Sequence, residues 1–129
     1  MSQVYRYDFK LNPQKMIIGF EEETAPFNED EKALVRVVIK GLANHVGEEE
    51  AIKGRAICLA VSQKYTKLTE ARLRKIINFI RAKKILPVIA TSRGYYISHD
   101  KDVIKREIES LRGRQAGIQA AIDGLEKWL

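Results

Sequence analysis

The chain has 129 residues, of which 45% are hydrophobic and 31% charged, and its formal net charge is +6. That length suits one domain with a hydrophobic core plus an appendage, and no apolar run approaches the roughly 18–20 residues of a membrane span. A single cysteine and two widely separated histidines exclude an internal disulfide and give no reason to expect a metal or another cofactor.

Residues 1–28 are predicted to form an N-terminal β-hairpin or extended arm that ends in an acidic linker. Alternate positions of the first part are apolar, which is the period-2 pattern of a half-buried strand: Tyr5, Tyr7, Phe9 and Leu11. The N-terminus has no apolar segment of the kind found in secretory signals, so we expect a cytoplasmic protein.

Two helices are predicted next, over about 29–45 and 54–64. Asn28 is a good N-cap for the first, and three acidic residues follow it in the first turn, where the helix dipole favours them. The apolar stripe of the first helix is predicted to comprise Leu34, Val37, Val38 and Leu42. The apolar residues of the second helix are Ala56, Ile57, Leu59, Ala60 and Val61, and Cys58 among them is expected to be a buried core residue.

A third helix is predicted from the N-cap Thr69 to about residue 83, followed by a β-hairpin. The buried side of this helix has helical spacing: Leu73, Ile76, Ile77 and Ile80. Pro87 cannot continue the helix. Two β-prone runs, 88–91 and 95–98, flank a turn in which Gly94 supplies the positive φ that a tight hairpin needs.

The last predicted helix, over about 99–129, has apolar residues at alternating spacings of four and three, with Gln115 as one polar member. This heptad seam favours pairing with the same helix of a second chain. Folding of the helix back onto its own domain is the alternative. The predicted dimerisation residues are Ile104, Ile108, Leu111, Gln115, Ile118, Ile122, Leu125 and Leu129.

Positive charge is concentrated between residues 53 and 93, where Glu70 is the one acidic residue. The basic residues there are Lys53, Arg55, Lys64, Lys67, Arg72, Arg74, Lys75, Arg81, Lys83, Lys84 and Arg93. Such segregation favours the approach to a polyanion, because counterion release supplies affinity that does not depend on sequence. A solvated basic surface that keeps the protein soluble is the alternative explanation.

The order of helix, helix, turn, helix and hairpin, with Pro87 before the hairpin and Gly94-Tyr95-Tyr96 within it, resembles the winged helix-turn-helix family. The likeness is greatest to the biotin-repressor type, and the long helix that follows is similar to that of short phage and prophage proteins. The resemblance implies a mainly α fold with a small β-hairpin wing, α+β in class, with a winged domain over 29–98 and a separate helix over 99–129. It also implies a DNA-binding role in transcription regulation or replication.

In that fold the third helix would read bases, and its outward face suits the task. Arginine pairs well with guanine and asparagine with adenine. The predicted base-reading set is Thr69, Arg72, Arg74, Lys75 and Asn78. The residues predicted to contact the DNA backbone, from the helices and the wing, are Lys53, Arg55, Lys64, Lys67, Ser92, Arg93 and Tyr95. An ordinary solvated helix face is the alternative, although such faces usually intersperse glutamates.

The sequence thus predicts a homodimer that binds double-stranded DNA. The competing hypothesis is a protein–protein interaction module, in which the N-terminal segment docks a replication or transcription protein. We do not expect an enzyme, because no nucleophile–base pair or metal-ligand spacing is recognisable.

Overall fold

A computed structural model of the protein describes residues 26–129. It is mainly helical with one small antiparallel hairpin, which confirms the predicted α+β class. The elements are α1 (Glu29–Leu42), α2 (Gly54–Lys64), α3 (Glu70–Ala82), β1 (Val88–Thr91), β2 (Gly94–Ile97) and α4 (Lys101–Glu126), with a 3-10 turn at Glu48–Glu50. The predicted N-terminal hairpin or arm falls almost wholly outside the described residues.

The helix starts follow from local capping chemistry. Asn28 and Glu31 form a reciprocal capping box at α1: the Asn28 Oδ1 accepts from the Glu31 N–H at 2.8 Å, and the Glu31 Oε1 accepts from the Asn28 N–H at 2.9 Å. Thr69 caps α3 as predicted. At α4 the cap is Asp100, whose carboxylate accepts from the N–H groups of Asp102 and Val103.

The core lies between α1, α2, α3 and the hairpin. The four apolar residues predicted for α3 are all buried. In α1 the buried stripe also includes Val35 and Ile39, whereas Val37 is half-buried. α2 buries Ile57, Val61 and, as expected, Cys58, and it leaves Leu59 61% exposed.

The hairpin pairs Val88 with Ile97 at its base and Thr91 with Gly94 at its tip. Two further bridges attach the segment between α1 and α2 to β2: Ile52 pairs antiparallel with Tyr95, and Val46 pairs parallel with Ile97. The hairpin is therefore held against the helical core along its β2 side by backbone hydrogen bonds.

Candidate nucleic-acid interface

α3 presents two of the predicted base-reading side chains to solvent. Arg74 and Asn78 are exposed and stand four residues apart, so they project from the same face of the helix. Thr69 is half-buried, and its Oγ accepts a hydrogen bond from the Arg72 N–H at 3.2 Å. The Thr69 hydroxyl oxygen is therefore engaged in capping the helix.

Lys75 is buried, and its predicted position on the outward face of α3 is wrong. Its side chain is 4% exposed, and its Nζ lies 2.9 Å from the Glu31 Oε1 and 5.0 Å from the centre of the Phe27 ring. The neighbouring Arg72 is half-buried, with its Nε 3.8 Å from the Glu31 Oε2. The physical reason is that the start of α1 packs against this side of α3, and helical spacing within α3 carries no information about that contact.

The tip of the hairpin is held by a hydrogen bond within the turn and by another from the residue that precedes α2. The ammonium group of Lys53 donates a hydrogen bond to the backbone carbonyl of Ser92. The Arg93 N–H donates to the Thr91 Oγ at 3.2 Å, and Gly94 follows with φ at +123°. Arg93 therefore extends from an ordered turn with its side chain exposed, whereas Lys53, at the N-cap of α2, reaches the backbone of the tip at Ser92.

The two adjacent tyrosines of β2 have different environments. Tyr96 is buried, and Tyr95 is half-buried against the start of α2, where a Cβ added to Gly54 would lie 3.2 Å from the Tyr95 ring. Burial raises the pKa of the Tyr95 phenol, and the positive charges of Arg74 and Arg81 partly oppose that rise. Tyr95 is therefore the member of the pair that remains accessible on the side of Arg74.

A groove of about 440 Å³ runs between α3 and α4 and brings several of these side chains together. Arg74, Asn78 and Tyr95 line one side of it. The facing wall belongs to α4 and includes Arg114, Gln115 and Gln119. Sequence reasoning placed Gln115 in a dimer seam and did not single out the other two, because no local pattern tells how α4 crosses α3.

The other predicted backbone contacts are exposed but dispersed. Arg55 stands in the first turn of α2, and Lys67 lies in the turn before α3. Lys64 lines a separate cavity of about 420 Å³ between α1 and α2, beside Lys40. The structure thus groups Arg74, Asn78 and Tyr95 and leaves Lys64 in a different environment.

The predicted dimer seam of α4 divides into two parts. Ile104 and Leu111 are half-buried and, with Ile108, line a mostly apolar cavity of about 360 Å³ against the chain around β1. Their own domain partly covers Ile104 and Leu111, as in the alternative in which the helix folds back, whereas Ile108 is 41% exposed. Beyond them the apolar side chains are exposed: Ile118, Ile122, Leu125, Trp128 and Leu129.

Within residues 26–129, no group of three or more His, Cys, Asp or Glu side chains is placed to hold a metal ion. None of the helices in the same part of the chain is both long and apolar enough to cross a membrane. Comparison of the chain with protein-family models, with curated proteins and with solved structures gave no significant match. The function therefore has to be inferred from the residues of this chain.

Proposed function

We propose that the protein binds double-stranded DNA through a winged helix, with α3 entering the major groove and the β1–β2 hairpin acting as the wing. The role would be transcription regulation or assistance to replication, in a protein of phage or other mobile-element type. The single observation that carries the proposal is the exposed face of α3 with Arg74 and Asn78, within a span (residues 53–93) that has eight exposed cations and one acid, Glu70.

Most of the positive charge between residues 53 and 93 lies on exposed side chains and not in buried ion pairs. Lys75 and Arg81 are paired with Glu31 and Glu107, and Arg72 is half-buried beside Glu31. The cations between residues 53 and 93 that remain exposed are Lys53, Arg55, Lys64, Lys67, Arg74, Lys83, Lys84 and Arg93. Glu70 is the one acid in that span, so a phosphate chain meets mostly attraction there.

The backbone arrangement supports the winged-helix part of the proposal. The Ile52–Tyr95 bridge sets a short extended segment between α1 and α2 beside β2, and the hairpin directly follows α3. A hairpin held in this way keeps the backbone of its tip, from which the exposed Arg93 side chain extends, beside the segment that leads into α2. An arginine at such a tip is suited to a minor groove or to the phosphate backbone.

We further propose that the protein is a dimer through the last turns of α4. Ile118, Ile122 and Leu125 keep spacings of four and three and are each between 45% and 71% exposed. Burial of apolar surface contributes about 25 cal/mol per Å². Packing of a second α4 against these exposed side chains would therefore stabilise a dimer. A twofold dimer would present two copies of α3 to two half-sites.

The test is fluorescence anisotropy with a labelled mixed-sequence duplex, repeated at several salt concentrations. We expect binding whose logarithm falls linearly with the logarithm of salt concentration, with a slope of about −0.9 per phosphate contact. Asn78→Ala should relax the base preference at one position of a duplex selected from a random pool, whereas Gln63→Ala, an exposed amide on α2, should not. Absence of binding at low salt would contradict the proposal.

A protein-docking role is the second candidate function, and one observation favours it. The acidic turn Glu48–Glu50 is exposed and packs beside β2, so one side of the hairpin is negatively charged. The acidic turn repels the phosphate backbone of DNA but attracts a basic protein surface. A protein that shows no salt-dependent duplex binding but keeps a stable fold would favour this role.

A further inference from the structure

The groove between α3 and α4 is a consequence of how α4 is anchored. Its first turns pack against the hairpin, where Glu107 is buried and pairs with Arg81 at 2.7 Å. From Leu111 onward the helix passes alongside α3 without closing on it. The resulting groove places Arg114 and Gln115 on the opposite wall from Arg74 and Asn78.

The electrostatic character of this groove is positive. None of the described residues that line it is an aspartate or a glutamate. Arg81 is compensated by Glu107, but Arg114 takes part in no ion pair among residues 26–129, and it lies close enough to Arg81 to help lower the pKa of that guanidinium. Burial is the main cause of that lowering, and Glu107 opposes it. The wall formed by α4 therefore adds positive charge that its own domain does not neutralise.

The position of α4 beside α3 indicates which anion would bind in the groove between them. The major groove of B-DNA is about 12 Å wide and admits one helix, with a phosphate backbone on either side. If α3 occupies that groove, a helix lying beside α3 meets the phosphate wall and not the base edges. A guanidinium with neighbouring amide donors is well suited to a phosphodiester, because it donates paired N–H groups in a planar fork.

We propose that α4 is a second DNA-contacting element, in which Arg114, assisted by the amide of Gln115, binds a backbone phosphate next to the major groove that α3 enters. This inference rests on the proposed DNA-binding function and adds a contact that the helix-turn-helix and wing do not provide. It gives the docked position of α4 a function beyond packing.

The test compares Arg114→Ala with Arg112→Ala in the anisotropy measurement across a salt series. Arg112 is the matched control, because it is an exposed arginine on the same helix, does not line the groove, and stands about 200° around the helix axis from Arg114. Each variant removes one positive charge, so the long-range effect of net charge is the same. Circular dichroism and sedimentation would check that both variants keep their fold and oligomeric state.

We expect Arg114→Ala to reduce the magnitude of the salt slope by about 0.9 per DNA-bound chain and to weaken low-salt binding roughly tenfold. Arg112→Ala should leave the slope unchanged. Suppose that the wild-type protein binds duplex. If Arg114→Ala then binds as the wild type does, or if the two variants weaken binding equally, the inference is overturned and the proposed function still stands. If the wild-type protein itself does not bind duplex, both proposals are overturned.

Discussion

The Arg81 guanidinium and the Glu107 carboxylate lie 2.7 Å apart and join three elements at one point. The Arg81 Nε also donates to the backbone carbonyl of Val88, and the second oxygen of Glu107 accepts from the Ala90 N–H at 3.3 Å. The pair therefore ties α3 to β1 and β1 to α4. It fixes the direction in which α4 leaves the domain, and so the width of the groove beside Arg74.

Glu107→Gln should destabilise the protein by about 3 kcal/mol, because it leaves the largely buried Arg81 charge without its partner. Urea unfolding would measure the loss as a lower midpoint at an unchanged slope. Glu109→Gln is the control, since Glu109 is exposed on the same helix, and its effect should stay within about 0.5 kcal/mol. Similar stabilities of the two variants would show that the pair does not hold α4.

Lys75→Met should cost about 3 kcal/mol, because the Glu31 carboxylate, which is 3% exposed, loses its nearest cation and keeps only the longer contact of 3.8 Å with Arg72. The double variant Glu31→Leu/Lys75→Met should recover part of that loss, because it leaves no buried charge unpaired. Arg74→Met, one position away and exposed, should change stability by less than about 0.5 kcal/mol. A loss for Arg74→Met as large as that for Lys75→Met would contradict the assignment of Lys75 to the core.

Gly94→Ala should destabilise the hairpin by about 2 kcal/mol or more. The φ of +123° disfavours any side chain, and a Cβ would lie 2.4 Å from the Ile52 carbonyl oxygen, which itself bonds to the Tyr95 N–H. Gly113→Ala, where the added methyl group meets nothing within 4 Å on α4, should instead stabilise by about 0.5–1 kcal/mol. The midpoint temperature of thermal unfolding should therefore fall for Gly94→Ala and rise for Gly113→Ala.

The stability of the protein should fall as the pH rises beyond about 10, and Tyr95 should account for part of that fall. Burial raises the pKa of the Tyr95 phenol in the folded state, so the unfolded chain releases this proton first and binds fewer protons at high pH. The stabilisation from the protonated Tyr95 phenol is fully present below the pKa of this phenol in the unfolded chain. It is lost as the pH rises through the higher pKa of the folded state. Tyr95→Phe should flatten the decline between pH 9 and about 11 in urea titrations. An unchanged pH profile would rule out this contribution.

Ile122→Glu/Leu125→Glu should convert the proposed dimer into monomers. Sedimentation equilibrium should then give the mass of one chain, 14.8 kDa, in place of twice that value. Ala116→Glu/Ala120→Glu adds the same charge to exposed positions of α4 away from the seam and should leave the dimer intact. A wild-type protein that sediments as a monomer at all concentrations would contradict the dimer.

Local chemistry in the sequence determined the element order, the caps and most of the core. Asn28 and Thr69 offered cap side chains, Pro87 set a limit that the third helix could not pass, and Gly94 supplied the positive φ of the hairpin. These signals act within a few residues of chain, which is why pattern and spacing were sufficient to find them.

Only the tertiary structure decided which charged side chains are available to a partner. Helical spacing alone predicts that Arg74 and Lys75 both lie on the outward side of α3. In the structure α1 buries Lys75 against Glu31 and leaves Arg74 exposed. The heptad spacing of α4 likewise cannot distinguish Leu111, which packs on its own domain, from Leu125, which is exposed. The reason is the same in both cases, since helical periodicity defines a face within one helix but carries no information on which neighbour covers that face.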